Sequence, residues 1–273
     1  MLPTAILFDL DDTLFDHQHA SGMALTAMHA VYAPDLPFAT FAIEHTRILE
    51  HFHARFLDGE FTLAEARVAR MQALFATFDR DISANIALLA ANQYREEHQA
   101  NRRLIDGARE LLDVLRGQCK LGIVTNNSAA EQKEKLRALG IAEYFDAVVI
   151  SEAVGVAKPD AKIFSIALQT LGVGAHEAIF IGDNWVNDID GAINAGMQAV
   201  WLNRFNQTPA RAGFSEQKRK DPKHRACTGV LNTMVPVVSS LTPTGAIIDA
   251  IKTAFNHRTP GAKKYGQLET LAS

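Results

Sequence analysis

The stretch Ile6-Leu7-Phe8-Asp9-Leu10-Asp11-Asp12-Thr13-Leu14-Phe15-Asp16 decides how this chain is interpreted. Thr4 to Phe8 is a short run without polar alternation, which is typical of a central strand in a parallel sheet covered on both faces. Asp9 is then expected at the carboxyl end of that strand, on the edge where open parallel sheets bind ligands. The same composition also suits a turn or a helix cap, so the stretch alone leaves both interpretations open.

A second predicted strand, Lys120 to Asn126, also ends in polar residues. It is followed by Ser128-x-x-Glu131, which has the spacing of a capping box at the start of a helix. Thr125 and Asn126 would therefore lie just ahead of a helix amino terminus, where free amides and a partial positive charge favour an anion. An ordinary strand-end threonine is the alternative interpretation of Thr125.

Lys158-Pro159 precedes a helical pattern of apolar residues. Pro159 suits a first helical turn, which places the Lys158 cation at the positive end of that helix. Such a conflict is expected at a functional site, where a lysine can neutralise a phosphoryl group and hold an attacking carboxylate. A solvated surface lysine is the alternative.

Another short apolar strand is predicted from Ala178 to Gly182, and Asp183 follows it at the same sheet edge as Asp9. The glycine permits close backbone approach. Asp188 is expected at the start of a helix that stops near Gly196. Helix capping is the competing explanation for acids in this stretch.

Taken in order, Asp9-x-Asp11-x-Thr13, Thr125-Asn126, Lys158-Pro159 and Gly182-Asp183-x4-Asp188 resemble the four motifs of the haloacid dehalogenase-like (HAD) superfamily. Val149 to Pro159, with Trp201-Leu202-Asn203, further resembles the pyrimidine 5'-nucleotidase branch and, less closely, the acylneuraminate-9-phosphatase branch. The resemblance implies an α/β protein with a Rossmann-like parallel-sheet core and an inserted α-helical cap.

The resemblance also implies roles for the site residues. Asp9 would be the nucleophile that forms an aspartyl-phosphate, and Asp11 would be the general acid and then the general base. The substrate phosphate would be bound by Thr125, Asn126 and Lys158, so that Lys158→Ala is expected to be nearly inactive. One Mg²⁺ would be held by the carboxylates of Asp9 and Asp183 and the backbone carbonyl of Asp11, with Asp188 supporting this shell.

The substrate class follows from Asp11. Dehalogenases of this superfamily lack an acid at this position, so phosphomonoester hydrolysis is expected rather than dehalogenation. A nucleoside 5'-monophosphate is the first expectation, and a sugar phosphate or phosphoglycolate is the alternative. A non-enzymatic phosphoreceiver is also conceivable, but Asp11 beside the nucleophile would speed loss of the phosphate.

Composition sets outer limits on the function. The chain has 273 residues and is 48% hydrophobic, which is ample for a packed core. Its net charge of −4 provides no basic field for a nucleic acid polymer. Two cysteines, Cys119 and Cys227, fit a reducing compartment, and no segment has the length of a membrane span or the pattern of a signal peptide. A cytoplasmic enzyme acting on a small molecule is expected.

The interval between the first two motifs is longer than a βα unit needs. Residues 16–103 read as a cap of four or five helices, in which Ala24, Leu25, Met28 and Val31 form the first apolar stripe. Residues 1–15 and 104–257 would form the phosphatase core and 258–273 a loose tail. The basic segment 211–225 is expected to be solvated. A last strand is predicted from Val235 to Ser239, and a closing helix is predicted to start at Thr242-Pro243.

Seven of the ten histidines lie between His17 and His98, and most are expected to be exposed or packed cap residues. The nearest pair, His51 and His53, would not share a helix face, which argues against a second metal site. His17 and His19 follow the first motif, and one of them is expected to touch the substrate.

Overall fold

A computed structural model describes residues 1–208 and 235–256. It contains one six-stranded sheet in the order β3-β2-β1-β4-β5-β6, in which every neighbouring pair is parallel. The strands are β1 (Ala5–Phe8), β2 (Lys120–Thr125), β3 (Ala147–Ile150), β4 (Ala178–Gly182), β5 (Gln198–Leu202) and β6 (Val237–Val238). This arrangement confirms the predicted Rossmann-like α/β fold.

The register of the central strands explains where the polar side chains gather. Phe8, the last residue of β1, is aligned with Ile123 on β2 and with Ile181 on β4. The residues that follow these strands therefore reach the same edge of the sheet. Since β2 and β4 run on opposite sides of β1, this edge is also the topological switch point where open α/β sheets bind ligands.

Successive side chains of β1 point to opposite faces of the sheet and belong to two different hydrophobic cores. Ile6 and Phe8 pack into one cluster together with helices α5 (Ala108–Leu115), α6 (Ala129–Ala138) and α10 (Thr244–Asn256). Leu7 packs into the other cluster with α8 (Ala161–Leu171) and α9 (Gly191–Asn194), while α7 (Ser151–Val154) is a single turn after β3. All four side chains of β1 are buried because helices cover both faces of the sheet.

Residues between the first two strands form four helices: α1 (His17–Tyr32), α2 (Phe38–Leu57), α3 (Leu63–Ala76) and α4 (Ala84–Ala100). They enclose a third hydrophobic cluster, in which Phe41 and Phe75 make an edge-to-face contact at 5.9 Å between ring centroids. We call these four helices the helical insert. Ala24, Leu25 and Met28 are buried as predicted, but Val31 is 59% exposed, so its assignment to the stripe was wrong.

The two chain crossings between sheet and insert lie side by side. The backbone NH of Asp16 donates to the carbonyl of Arg103 at 3.0 Å, and the guanidinium of Arg103 donates to the Asp16 carboxylate at 2.8 Å. The backbone NH of Ile105 donates to the carbonyl of Leu14 at 2.8 Å. The insert thus leaves and rejoins the sheet region at one point.

Several local predictions can be compared with the structure. Val237 and Val238 pair with β5, and α10 follows Pro243, as expected for the last strand and closing helix. The capping box predicted at Ser128 was wrong: the Ser128 side chain makes no cap hydrogen bond, and the Glu131 side chain pairs with Arg67 of α3. The basic segment 211–225 and the tail 258–273 lie outside the described residues. Within the part of the chain that is described, no helix is long and apolar enough to cross a membrane.

Candidate active site

Lys158 joins two carboxylates at the edge of the sheet. Its Nζ donates to Oδ1 of Asp9 at 2.6 Å and to Oδ1 of Asp188 at 2.6 Å, and all three side chains are buried. Burial opposes the charge of Lys158, but the two carboxylates outweigh it and raise the pKa of the lysine above its ordinary value. The lysine is therefore charged and fixed against the first carboxylate of the opening motif.

The loop carrying Lys158 is held by Asn126 from the end of β2. The side-chain amide of Asn126 donates to the Lys158 carbonyl at 2.9 Å, and its oxygen accepts from the Lys158 backbone NH at 2.8 Å. Helix α8 begins only at Ala161, with Asp160 as its N-cap, so Pro159 precedes the helix rather than occupying its first turn. Both polar atoms of the Asn126 side chain are thus used to position the lysine.

Asp188 is placed by a π-helical turn, Trp185–Asp190, where the sequence predicted the start of an ordinary helix. Its second carboxylate oxygen accepts from the backbone NH of Asn184 at 2.9 Å. Gly182 makes this packing possible, because a Cβ on residue 182 would lie 2.5 Å from the Cβ of Asp188. The glycine ahead of the acidic motif is therefore required for close approach, as the sequence indicated.

Three carboxylates face one ammonium at this edge. Asp9, Asp183 and Asp188 can each place an oxygen within 4.8 Å of the others. Burial raises the pKa of Asp183 and of Asp9, and the neighbouring carboxylates add to both increases, while Lys158 opposes them. A donor set of clustered carboxylate oxygens with excess negative charge suits a hard divalent cation such as Mg²⁺. The indole NH of Trp201 donates to the Asp183 carbonyl at 2.8 Å and holds this residue in place.

Asp11 points away from that cluster, toward helix α6. Its carboxylate accepts from the side-chain amide of Gln132 at 2.9 Å and from the Nζ of Lys135. Gln132 also donates to the hydroxyl of Thr125 at 2.7 Å, so one glutamine links the first and second motifs. Burial opposes ionisation of Asp11, but Lys135 dominates and lowers its pKa well below the ordinary range. In this geometry Asp11 is ionised.

Sequence reasoning missed Gln132 and Lys135. They are buried although they lie on a helix of low overall hydrophobicity, and they share one face because they are three residues apart. The amide and the ammonium contact Asp11 from more than a hundred positions along the chain. The sequence signal that could have identified Gln132 and Lys135 is their position on the same face of α6 as the apolar Leu136, shortly after the Thr125-Asn126 motif.

The turn after Asp11 is held by charged residues. Asp12 has a φ of +58° and its carboxylate accepts from the backbone NH of Gln18 at 3.0 Å, at the start of α1. Arg204, which follows β5, lies 3.1 Å from the Asp16 carboxylate and 3.6 Å from that of Asp12. Asp12 therefore caps a helix and anchors the turn.

A cavity of about 330 Å³ lies between the sheet edge and the helical insert. All predicted site residues line it: Asp9, Asp11, Thr125, Asn126, Lys158, Asp183 and Asp188. The insert contributes His17 and His53 but neither His19 nor His51, and His17 contacts His98 at 3.4 Å between ring nitrogens. The insert side of the wall comes mainly from apolar and arginine side chains of α2, α3, α4 and the segment just after α4, together with Glu50, and the core side also includes Glu131 and Lys135.

A doubly wound sheet with carboxylates, a lysine and a helix amino terminus at its switch point is typical of a hydrolase acting on an anionic substrate. Residues 3–196 match the family described as haloacid dehalogenase-like hydrolase. The chain belongs to this family.

Named relatives differ in their substrates. The chain is 46% identical over 104 residues to pyrimidine 5'-nucleotidase YjjG of Escherichia coli, a match that covers 38% of this chain and 46% of that protein. It is 34% identical over 203 residues to glyceraldehyde 3-phosphate phosphatase of Pyrococcus abyssi, covering 72% of this chain and 80% of that protein. Most of the similar proteins that carry a functional name are thus phosphatases.

A solved structure has the same fold. The HAD-hydrolase YfnB of Bacillus subtilis, solved bound to magnesium, superimposes with a TM-score of 0.71 at 24% identity, covering 91% of this chain and all of that one. This likeness confirms the architecture of the sheet and its flanking helices.

Proposed function

We propose that this hydrolase is a magnesium-dependent phosphatase that removes phosphate from a small phosphomonoester, with a nucleoside 5'-monophosphate as the first candidate substrate. The observation that carries the proposal is the pairing of the Asp9 carboxylate with Lys158 beside the Asp183–Asp188 acids. A carboxylate so placed is a nucleophile whose repulsion from a phosphate dianion is reduced by a fixed cation.

The residues divide the reaction into two displacements. In the first, an Asp9 oxygen forms a bond to phosphorus, the ester P–O bond breaks, and the leaving oxygen takes a proton from Asp11, which must take up that proton and give up its contact with Lys135 before this step. In the second, Asp11 accepts a proton from water, whose oxygen attacks phosphorus and releases phosphate from Asp9. The contact with Lys135 favours the ionised form of Asp11, which is the form needed as a base.

The phosphate-binding groups would be the Thr125 hydroxyl, the Lys158 ammonium and the loop of Asn126 ahead of α6. Asp9 and Asp183, with the Asp11 carbonyl, would hold Mg²⁺, and Asp188 would orient Lys158 beside them. When bound, the ion supplies charge neutralisation between the attacking carboxylate and the phosphoryl oxygens. The carboxylate cluster fits this ion, and the magnesium-bound relative of the same fold supports the assignment.

The helical insert, residues 16–103, would act as a cap over a core made of residues 1–15 and 104–257. Its α2, α3 and α4 side chains form the far wall of the cavity, where the leaving group must lie. Such a wall excludes water from the aspartyl-phosphate and selects the alcohol half of the substrate. A cytoplasmic location agrees with a free, half-buried Cys119.

Two substrate classes are supported by different observations. The nucleotide assignment rests on the high identity to the pyrimidine nucleotidase over a part of the chain. A sugar phosphate or a phosphoglycolate-like compound is supported by the longer match to the glyceraldehyde 3-phosphate phosphatases. Both classes use the same chemistry at Asp9, so the mechanism does not depend on the choice.

The proposal is tested by phosphate release from uridine, cytidine and deoxyribonucleoside 5'-monophosphates, sugar phosphates, phosphoglycolate and an acylneuraminate 9-phosphate, with and without Mg²⁺. Asp9→Asn, which keeps the shape of the side chain, is the control. We expect metal-dependent release that Asp9→Asn abolishes, with the nucleotides turned over fastest. Release without metal, or by Asp9→Asn at the normal rate, would overturn the mechanism, and turnover of sugar phosphates alone would remove the nucleotide assignment.

A further inference from the structure

The half of the cavity formed by the insert has the opposite charge from the half formed by the sheet. The insert contributes four arginines, Arg67, Arg70, Arg95 and Arg102, and from α2 the exposed Glu50. Their neighbours are mostly apolar: Leu49, Phe52, Phe56, Leu63, Ala66 and Ala91. Arg67 and Arg102 are paired with glutamates, so Arg70 and Arg95 supply the positive charge that is left on this half of the cavity, opposite the acids of the sheet edge.

Arg70 differs from Arg67 and Arg102, the other half-buried arginines of this wall, because it makes no ion pair among the described residues. Arg67, one helical turn earlier, pairs with Glu131, and Arg102 pairs with Glu134. Arg70 makes no ion pair with either glutamate that lines the cavity, and its Nε is buried without a hydrogen-bond acceptor. It is a cation in the pocket wall whose counterion is missing from the described chain.

The surroundings of Arg70 fix its orientation, and the nearest acid that acts on its charge, Glu131, contacts Arg67 rather than Arg70. Its guanidinium carbon lies 5.1 Å from the centre of the Tyr94 ring, and His45 packs against the same ring at 5.0 Å. Burial lowers the pKa of Arg70, while the pKa of His45 is lowered to about 3 chiefly by burial and then by Arg70. His45 is therefore neutral, and the nearest aromatic face supplies only a cation–π contact.

A half-buried cation that has no ion-pair partner and a buried N–H without an acceptor is costly, and such groups persist where a ligand completes them. We infer that Arg70 binds a second anionic group, a carboxylate or a phosphate, on the leaving-group half of the substrate. This inference rests on the proposed phosphatase function and narrows it: the preferred substrate is a phosphomonoester that carries an additional oxyanion. The planar guanidinium suits bidentate binding of such a group.

The transferred phosphate is a less suitable partner for Arg70. That phosphate already has Lys158, the Thr125 hydroxyl and the α6 amino terminus at the sheet edge, whereas Arg70 lies on the opposite wall on the Tyr94 ring. Neutral carbonyl groups could accept hydrogen bonds from Arg70, but they would leave its charge uncompensated. An anionic group satisfies both requirements.

The test compares substrate pairs that differ in one charged group: 3-phosphoglycerate with glyceraldehyde 3-phosphate, orotidine with uridine 5'-monophosphate, and glucose 1,6-bisphosphate with glucose 6-phosphate. The first two pairs probe a carboxylate and the third a second phosphate. Each is assayed with the wild type, Arg70→Gln, and Arg47→Gln, an exposed insert arginine outside the cavity. Arg70→Gln should lower kcat/KM for the anionic members roughly 10- to 100-fold, mainly through KM, and for the neutral members less than about threefold.

Equal losses on both members of every pair would place Arg70 on the transferred phosphate and overturn the inference, as would a wild-type preference for the neutral members. If no compound releases phosphate, the proposed function fails, and calorimetric binding to Asp9→Asn then tests Arg70 separately. The anionic members should bind Asp9→Asn about tenfold or more tightly than they bind the double variant that also carries Arg70→Gln, and equal binding would overturn the inference.

Urea unfolding gives a further readout. Arg70→Gln should be at least as stable as the wild type without ligand, because the substitution removes a half-buried charge that has no ion-pair partner and whose Nε has no acceptor. A clear loss of stability would indicate a structural role for Arg70 instead.

Discussion

The side-chain amide of Asn126 is paired with the backbone of Lys158 through two hydrogen bonds, of 2.9 and 2.8 Å. This contact fixes the lysine loop to the end of β2, so the position of the lysine ammonium depends on a residue of a different strand. We therefore expect Asn126 to act on catalysis by positioning Lys158.

Asn126→Ala should lower kcat about 10- to 100-fold, because a shift of the Lys158 ammonium by an ångström misplaces the group that faces the nucleophile. The KM should change less than kcat. Steady-state kinetics measures both, and Asn92→Ala, on the exposed side of α4, is the matched control. An unchanged kcat would show that the loop holds Lys158 without the amide.

Lys158→Met should lower kcat roughly 100- to 1000-fold, since the ammonium is a preorganised electrostatic group between the Asp9 and Asp188 carboxylates. Lys162→Met, an exposed lysine on α8, should retain the wild-type rate. Both are assayed at saturating Mg²⁺, with circular dichroism to confirm folding. A loss of less than about threefold would contradict the role of Lys158.

Lys135→Met should slow the second displacement more than the first, because it frees the Asp11 carboxylate from the ammonium that holds it in place. The expected result is accumulation of the aspartyl-phosphate and a fall in kcat of about tenfold or more. Acid quenching of the enzyme with radiolabelled substrate measures the trapped phosphate. The exposed Lys133, on the same helix, provides the control Lys133→Met, and equal trapping in both variants would speak against Lys135.

Trp201→Phe should weaken Mg²⁺ binding about 10- to 100-fold, since the indole NH that holds the Asp183 carbonyl is lost. A magnesium titration of activity, supported by calorimetry, gives the apparent Kd. Trp185→Phe removes the neighbouring ring, whose centroid lies 5.0 Å from that of Trp201, without removing this hydrogen bond. Similar titration midpoints for the two variants would exclude the indole as a positioning group.

His45 should make the protein less stable in mild acid. Its pKa is about 3 in the folded state, against 6.5 for an unperturbed histidine, so the unfolded chain binds a proton that the folded protein does not. The contribution of neutral His45 to the free energy of unfolding is complete above pH 6.5. It is lost as the pH falls from 6.5 toward 3, by up to about 1.4 kcal/mol per pH unit.

Urea unfolding at about pH 7, 6 and 5 measures this slope for the wild type, His45→Phe and the exposed His51→Phe. His45→Phe should show a shallower decline than the wild type, and His51→Phe should follow the wild type. Parallel lines for all three proteins would mean that His45 is already protonated in the folded state.

Sequence patterns located the sheet and the residues at its edge because both depend on local chemistry. The apolar runs before Asp9, Thr125 and Asp183 are strands, and parallel pairing brings their ends together. The lysine loop was also found from sequence, although its helix begins later than Pro159 indicated, because Asp160 caps it through the Lys162 backbone NH at 2.8 Å. The roles that the family resemblance implies for these residues stay predictions.

The sequence did not reveal which polar side chains far apart in the chain contact each other. Lys135 and Gln132 contact Asp11 from a distant helix, and no pattern within α6 specifies that partner. The expected capping box is likewise absent, and its glutamate, Glu131, pairs with Arg67 on the insert. The fold determines which polar groups lie near each buried polar side chain. A single sequence therefore shows which residues can form hydrogen bonds and ion pairs, but not which of them pair with each other.

The side-by-side crossings at Asp16 and Arg103 have a consequence for how such an enzyme changes over evolution. Because the two chain crossings are tied to each other, the insert is a closed loop whose entropic cost grows only slowly with its length. We therefore expect inserts of other sizes to be accepted at this junction without disturbing the pairing of β1 with β2. The insert would thereby be free to diversify while the sheet edge keeps its geometry.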